Sequence, residues 1–360
     1  INPNTKGCPT FPNAKVRDIT VDIYRDVPVL VNKEKETNPW GIKYHTLYHM
    51  TNDTSDFEDH TKEKLEKEGY SLCQNSAFEK QGGRYLPLYE AKFIHQFDHR
   101  FGSFEGINKE NRFVRKAQTK GVFEEEKKDP THEVIPRYWV EESEFQSRTS
   151  DIDWEEDWVL TFRGITNTTT NFRTAMGAIA PFFGFGNSAP VLTFDSRETL
   201  EEDALLFTSF FTSFPFDFAL RQSVGGANLN LYILEQMPIP TPEKISEIQI
   251  KYNGKSETLR SFLVRHALRL TWTSHSLDSL GEELEPEAGP FIWDEDDRRE
   301  RRAKIDAAIA HTYGLSRDQF EYILDSFDIL KEREVSNRGE YQRKRECLEA
   351  FEDISISEEV

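Results

Sequence analysis

The apolar positions along the chain fall into a region that alternates and a region that repeats helically. Residues 84–93 alternate with period two: Leu86, Leu88, Glu90 and Lys92 share one face, Tyr89, Ala91 and Phe93 the other. This is the pattern of a strand. The strand runs into His95, Gln96, Asp98, His99 and Arg100, side chains that donate to and accept from base edges and phosphates. Further strands are predicted at 137–140, 158–162, 178–181, 191–194 and 228–234, with a tight turn at 184–188. A helix is predicted over 196–213, where Leu200, Ala204, Phe207 and Phe211 recur at helical spacing. Pro215 interrupts it, and a helical segment continues from 216 to the Gly225-Gly226 pair.

Upstream, residues 19–30 alternate weakly, 42–50 read as a strand and 61–68 as a helix. Residues 105–130 are polar and read as an inserted loop. From about 255 the pattern is helical. Ser256 is placed to cap a helix carrying Leu259, Phe262, Leu263, His266 and Leu270. Ile305, Ile309 and Tyr313 form one stripe that stops at Gly314, a natural residue just past a helix end. Ser316 and Gln319 make a capping box ahead of Phe320, Ile323, Leu324 and Phe327. A final helix is expected over 331–350. The fold class expected is α+β: an N-terminal α+β segment (1–83), a mixed, largely β domain (84–240) and a helical region (241–360).

Composition narrows the classes. A net charge of −19 argues against indiscriminate nucleic-acid binding, which normally needs a basic face. The average conceals a local reversal. Between 100 and 120 stand Arg100, Lys109, Arg112, Arg115, Lys116 and Lys120 against only Glu105 and Glu110. The acidic runs at 124–126, 141–144, 151–157 and 282–297 read as solvated faces and loops. No apolar run approaches the ~20 residues of a membrane helix, and no signal peptide pattern opens the chain. Three cysteines, Cys8, Cys73 and Cys347, in no CxxC spacing, argue for a reduced, cytoplasmic chain without structural zinc. Because the sequence opens at Ile1 rather than Met, it is expected to be part of a longer protein.

Several groupings offer chemistry. His95 and His99, four apart, would suit a metal on a helix, but the preceding strand pattern and the missing Glu favour a polar or nucleic-acid role. Glu90-Ala91-Lys92 has the E-x-K form of many nucleases, yet no Pro-Asp precedes it to share a Mg²⁺. Gly184 to Ala189 matches a dinucleotide fingerprint, but Pro190 and a strand follow where a helix is required. Three stretches combine Arg with amides and hydroxyls: Arg163 to Arg173, Asn187-Ser188, and Arg221-Gln222-Ser223 to Asn228. Arg, Asn and Gln make bidentate base contacts, and hydroxyls hold phosphates; the same residues also simply prefer turns. No Asn/Asp-Pro-Pro-Tyr/Phe segment and no Gly-rich strand–loop–helix for S-adenosylmethionine occurs.

In order, the segments at 89–100, 163–174, 186–192, 216–240, 268–274, 291–315 and 320–330 resemble the C-terminal half of large bacterial N6-adenine DNA methyltransferases. These are of the restriction-modification type also found in DISARM- and BREX-like phage-defence systems. The resemblance implies a target-recognition region with helical support, binding double-stranded DNA beside an upstream catalytic domain that carries S-adenosylmethionine. This chain itself would carry neither cofactor nor methyltransferase activity. Lys92, His95, Gln96, His99, Arg100, Arg163, Arg173, Asn187, Ser188, Arg221, Gln222 and Asn228 would then read bases or position phosphates. Arg112, Arg115, Lys116 and Lys120 would add attraction that weakens with salt. Other classes remain open: an assembly module docking further subunits of a defence system, and a Mg²⁺-dependent nuclease built on Glu90 and Lys92.

Overall fold

Burial on both faces organises the centre of the molecule. Strand Trp158–Phe162 is buried at every position, as is its antiparallel neighbour Gly177–Pro181. With Val191–Thr193 and Lys43–His45 they form a four-stranded antiparallel sheet. Against it lies helix Leu200–Thr212, buried along nearly its whole length, as a helix in a core is. Phe162 and Phe211 meet at 5.5 Å, Phe194 and Phe207 at 5.8 Å, Trp40 and Phe207 at 5.5 Å. The buried hydroxyls of Thr208, Ser209 and Thr212 donate to the carbonyls four residues earlier, so none is left unpaired in the core. Among the residues described by this computed structural model (3–7, 9–114, 116–166, 171–195, 198–226 and 228–358), the architecture is mixed α+β, with more helix than strand.

A second sheet is built on Gly83–Tyr89. It pairs with Phe78–Lys80 and with Trp139–Glu141 antiparallel, and with Gly184–Phe185 in parallel. A short ribbon joins Gly102–Ser103 to Lys120–Gly121. The helical C-terminal region comprises Glu295–Thr312, Arg317–Asp325, Asp328–Arg338 and Gln342–Asp353. One continuous apolar cluster reaches from Val16 through both the four-stranded sheet and these helices to Ile354. No helix among the described residues is long and apolar enough to cross a membrane.

The strands at 158–162, 177–181 and 191–193 and the helix at 200–212 follow the apolar pattern. The capping box at Ser316 is present on both sides, and Gly314 takes a left-handed φ of 66° at the preceding helix end. Several readings change. The strand read over 84–93 ends at Tyr89, and residues 105–130 carry the helical turns Lys109–Arg112 and Glu124–Lys127. The weak alternation at 19–30 belongs to a helix: Ala14–Arg25, capped by Asn13, buries Val16, Ile19, Thr20 and Ile23. Val21, which would share a strand face with Ile19 and Ile23, is 39% exposed. Asn228 makes only a single bridge to Ile165, and Leu231–Leu234 is a helical turn. Thr258 rather than Ser256 caps the helix Leu259–Thr271. The expected helix at 331–350 is two, broken at Gly339 (φ 80°). Within the helical region, Ile248–Tyr252 pairs with Lys255–Thr258 and with the late strand Ile354–Glu358.

Gly281 lies inside helix Asp278–Leu284, directly beneath the buried ring of Trp272; a Cβ there would stand 1.9 Å from Trp272 Cδ2. Alanine in a helix is normally favoured over glycine by ~1 kcal/mol, so overpacking must reverse the sign. Gly281→Ala is expected to destabilise the chain by about 2 kcal/mol, read as a lower midpoint in chemical denaturation. Gly289→Ala, where nothing lies within 4 Å, should leave the midpoint unchanged.

Candidate nucleic-acid interface

The polar cluster that ends the 84–93 pattern folds back on itself. Strand Gly83–Tyr89 gives way to a 3-10 turn over Ala91–Phe93, and His95 and Asp98 then bridge each other. Phe97, between them, is held in the left-handed region at φ 55°. That conformation costs a bulky residue of order 1–3 kcal/mol. It is secured on both sides: Phe97 N–H donates to Gly177 O, and Phe97 O accepts from Arg298. Asp98 accepts from Lys127 Nζ at 2.6 Å and from the Arg100 backbone N–H. Despite burial, the Lys127 and Arg298 charges hold its pKa down to about 2. Arg100 is wholly buried and donates to the carbonyls of Lys127, Asp129, His132 and Thr273. His99 Nε2 faces the hydroxyls of Ser274 and Ser276 at 3.3 Å, with Glu133 at 3.9 Å. Burial, then Arg100, holds His99 down to about 3; burial pushes Glu133 up to about 7, partly offset by Arg100 and the two serines. Arg100 and His99 therefore bind the 95–100 segment to the 127–133 loop and the 273–276 turn.

One edge of this segment opens into a cleft of about 400 Å³ lined by His95, Gln96, Asp98 and Phe101. The opposite wall comes from the C-terminal helices. Arg298 and Arg302 stand one turn apart on Glu295–Thr312 and continue backward the stripe that carries Ile305 and Ile309. Arg333 and Arg338 come from Asp328–Arg338, and Arg343 from Gln342–Asp353. With Lys127 and Arg173 the lining holds seven cationic side chains against three carboxylates, Asp98, Glu295 and Glu334. A chain of net charge −19 thus turns a cationic concavity outward at one place, where low-dielectric walls focus the field. Trp293 carries Arg298 on its ring at 3.6 Å and Lys127 at 4.3 Å, and Phe172 carries Arg333 at 4.6 Å.

Of the residues singled out from sequence, His95 and Gln96 line the cleft with Arg173. The His95 ring stacks on Phe101 at 4.5 Å, and burial and then Arg163 push its pKa well below the ordinary value. Gln96 donates to Thr212 O. Arg173 pairs with buried Asp217 at 2.7 Å and covers Phe214. Arg221 donates to Thr174 Oγ1 and Phe172 O beside the same carboxylate. Arg163 donates to Ile94 O at 2.6 Å and lies over Phe101. Gly164, next to it, joins Ser188 O to Leu229 N–H, so the turns at 163–165, 187–188 and 228–229 meet. Asn187 is exposed and accepts from Met50 N–H; Asn228 is exposed, and Gln222 donates within its own helix to Phe218 O.

Lys92 reaches Ala117 O and lies 3.3 Å from Glu90, whose two oxygens are clamped by Arg137. Both groups of the E-x-K motif are thereby engaged in ion pairing. Arg112 is buried on Ile107 O and Glu63. Lys116 and Lys120 are exposed, Lys120 at 3.7 Å from Glu126. Arg115 lies outside the described residues, as do 167–170 of the hydroxyl-rich run. Sequence reasoning passed over Arg298, Arg302, Arg333, Arg338 and Arg343. Extending the Ile305–Ile309 stripe two turns toward the N-terminus would have found the first two. Glu105, Glu126 and His132 bring ligand atoms within 4.8 Å of one another and are the described side chains best placed to hold a divalent cation.

Two outcomes follow from the buried node. Arg100→Met would strand four carbonyls in the interior and is expected to cost roughly 3 kcal/mol or more in chemical denaturation. For Glu133, the folded pKa lies above the unfolded one, so its neutral form is favoured in the fold and stability falls as pH rises from about 4.5 to about 7. Glu133→Gln should therefore stabilise the chain by roughly 2 kcal/mol near pH 8. That gain should shrink toward zero near pH 5 in paired denaturation curves; a gain independent of pH would contradict the assignment.

No protein-family model matches this chain, and no curated protein matches it.

Proposed function

We propose that this chain is the double-stranded-DNA recognition portion of an adenine-N6 DNA methyltransferase of the restriction-modification or phage-defence kind. In this reading the stretch 84–240, expected to be largely β but in fact mixed with at least as much helix as strand, holds the duplex with helical support from 241–360. An upstream catalytic domain, which supplies S-adenosylmethionine chemistry, acts on the adenine. The observation that carries the reading is the cleft. In an acidic chain, seven cations gather around one concavity, beside the segment 95–101 with its hydrogen-bonding side chains. The ordered resemblance of seven segments to that enzyme class supplies the reaction context.

Several predicted residues take a supporting part in this reading. Arg100 and His99 hold the recognition segment in shape through internal bonds, and Arg112 braces its own loop through Ile107 O. Among the described residues, Lys116, Lys120, Arg333 and Arg338 are exposed cations placed to meet the phosphates of a duplex backbone. Each phosphate they neutralise would release counterions and steepen the salt dependence by about 0.9 per contact.

The test is fluorescence anisotropy of the 360-residue chain with a labelled duplex, between low and moderate salt. Binding is expected at low salt and should weaken steeply as salt rises. Arg333→Glu combined with Arg338→Glu should weaken it at least ~10-fold with the circular dichroism spectrum unchanged. No binding at the lowest salt, or equal binding by the double variant, would count against the reading.

A further inference from the structure

We infer that the inner end of the cleft is a receptor for a single phosphoryl group, the phosphomonoester of a nucleotide or of a DNA 5′ end. This deepens the DNA reading and rests on it only for the source of the phosphate. Four guanidiniums, from Arg173, Arg298, Arg302 and Arg343, line the cleft together with Gln96. Three of them and Gln96 also line a narrow void that continues inward to Asp306.

Their charge is incompletely answered by the protein. Arg173 has Asp217. Arg298 is 2% exposed, yet it donates to the carbonyls of Leu270 and Phe97 rather than to a carboxylate. Arg302 stands 3.7 Å from Glu295, and Arg343 stands 3.4 Å from Glu334. The Nε of Arg298 is buried with no hydrogen-bond partner, a condition that native interiors rarely leave standing; the Nε of Arg343 faces Glu334. Burial, then Arg343 and Arg298, holds the Arg302 pKa down to about 9. Asp306, which lines the same void and accepts from the Phe214 N–H, answers part of the charge: burial pushes its carboxyl up to about 6, which leaves it largely ionised near neutral pH. Four guanidiniums on one cleft wall, with Arg298 lacking a carboxylate, suit an anion.

The form of the site selects the anion. A carboxylate is flat and carries one charge, whereas a phosphomonoester carries close to two and presents three acceptor oxygens in different directions. Arg302 and Arg343, arriving from two helices, suit the second, because a guanidinium fork binds two oxygens in its own plane, while Arg173 and Arg298, whose forks are engaged by Asp217, Thr212 O and two carbonyls, add positive charge. The cleft volume of about 400 Å³ falls in the range of small-molecule sites and leaves room for the rest of a nucleotide toward Phe101 and Phe172.

The experiment uses the 360-residue chain and thermal melting with inorganic phosphate, AMP, and duplexes bearing a 5′-phosphate or a 5′-hydroxyl. Inorganic phosphate at about 10 mM should raise the melting temperature by about 4 °C or more, and Arg302→Gln should abolish the rise. Arg302 is chosen because it is only partly buried, so the variant is expected to fold; Arg343→Gln provides an independent second variant. If AMP binds and the two duplexes do not differ, the source is a free nucleotide. If the 5′-phosphorylated duplex binds at least ~10-fold tighter than the 5′-hydroxyl one, it is a DNA end. No shift with phosphate or AMP, or the same shift in both variants, overturns the site even where duplex binding persists. A phosphate shift without any duplex binding upholds the site and removes the DNA reading.

Discussion

A guanidinium removed from water must find acceptors, and Arg100 finds them in four backbone carbonyls. This single requirement fixes the relation between three stretches that are far apart in sequence. The 95–100 turn, the 127–132 loop and the residues around Thr273 cannot separate without exposing or orphaning those groups, each at ~1–3 kcal/mol. Asp98 and Lys127 repeat the constraint with an ion pair whose members are both about 6% exposed. Such a pair adds little net stability over an apolar replacement, but losing one partner is costly. Its consequence is geometric: it sets His95 and Gln96 along one edge of the cleft.

The same helices bring the opposite charge balance to that place. Helix Glu295–Thr312 begins with Glu295, Asp296 and Asp297 in its first turn, where its dipole favours acid. One turn later its inward stripe is Arg298 and Arg302, and only after that Ile305 and Ile309. Putting arginines on the buried face of a helix opposes burial, since their desolvation disfavours the charged state. Arg298 is relieved by carbonyls and the Trp293 ring; Arg302 and Arg343 are relieved less. Concentrated positive charge in an otherwise acidic molecule, next to an unusual backbone conformation at Phe97, is an arrangement that packing alone does not require. It accounts for how a chain of net charge −19 could still approach a polyanion.

The sequence showed the central fold well where burial dictated a period. Trp158–Phe162 and Leu200–Thr212 could be placed because their apolar residues recur with the period of the element. Ala14–Arg25 escaped because Ile19, Val21 and Ile23 alternate by coincidence, and only burial distinguishes Val21 from its neighbours. Ile354–Glu358 escaped because its partner lies about a hundred residues away, at Ile248–Tyr252, and pairing at that distance leaves no local trace. The site was half legible. His95, Gln96 and Arg173 could be named from residue type, but type could not separate a cation that holds carbonyls, such as Arg100, from one that faces a cleft, such as Arg333. The cleft arginines of Glu295–Thr312, Asp328–Arg338 and Gln342–Asp353 looked like ordinary solvated charge until tertiary packing turned them to one wall.

The most direct test is amide hydrogen exchange of the 360-residue chain with and without duplex DNA at low salt. The account predicts slowed exchange concentrated at 95–101, 120–127 and 329–343, the segments around the cleft. The exposed turn at Asn187 and Met50 should be little changed. Protection at that turn with none around the cleft, or no protection anywhere despite measurable binding, would contradict it.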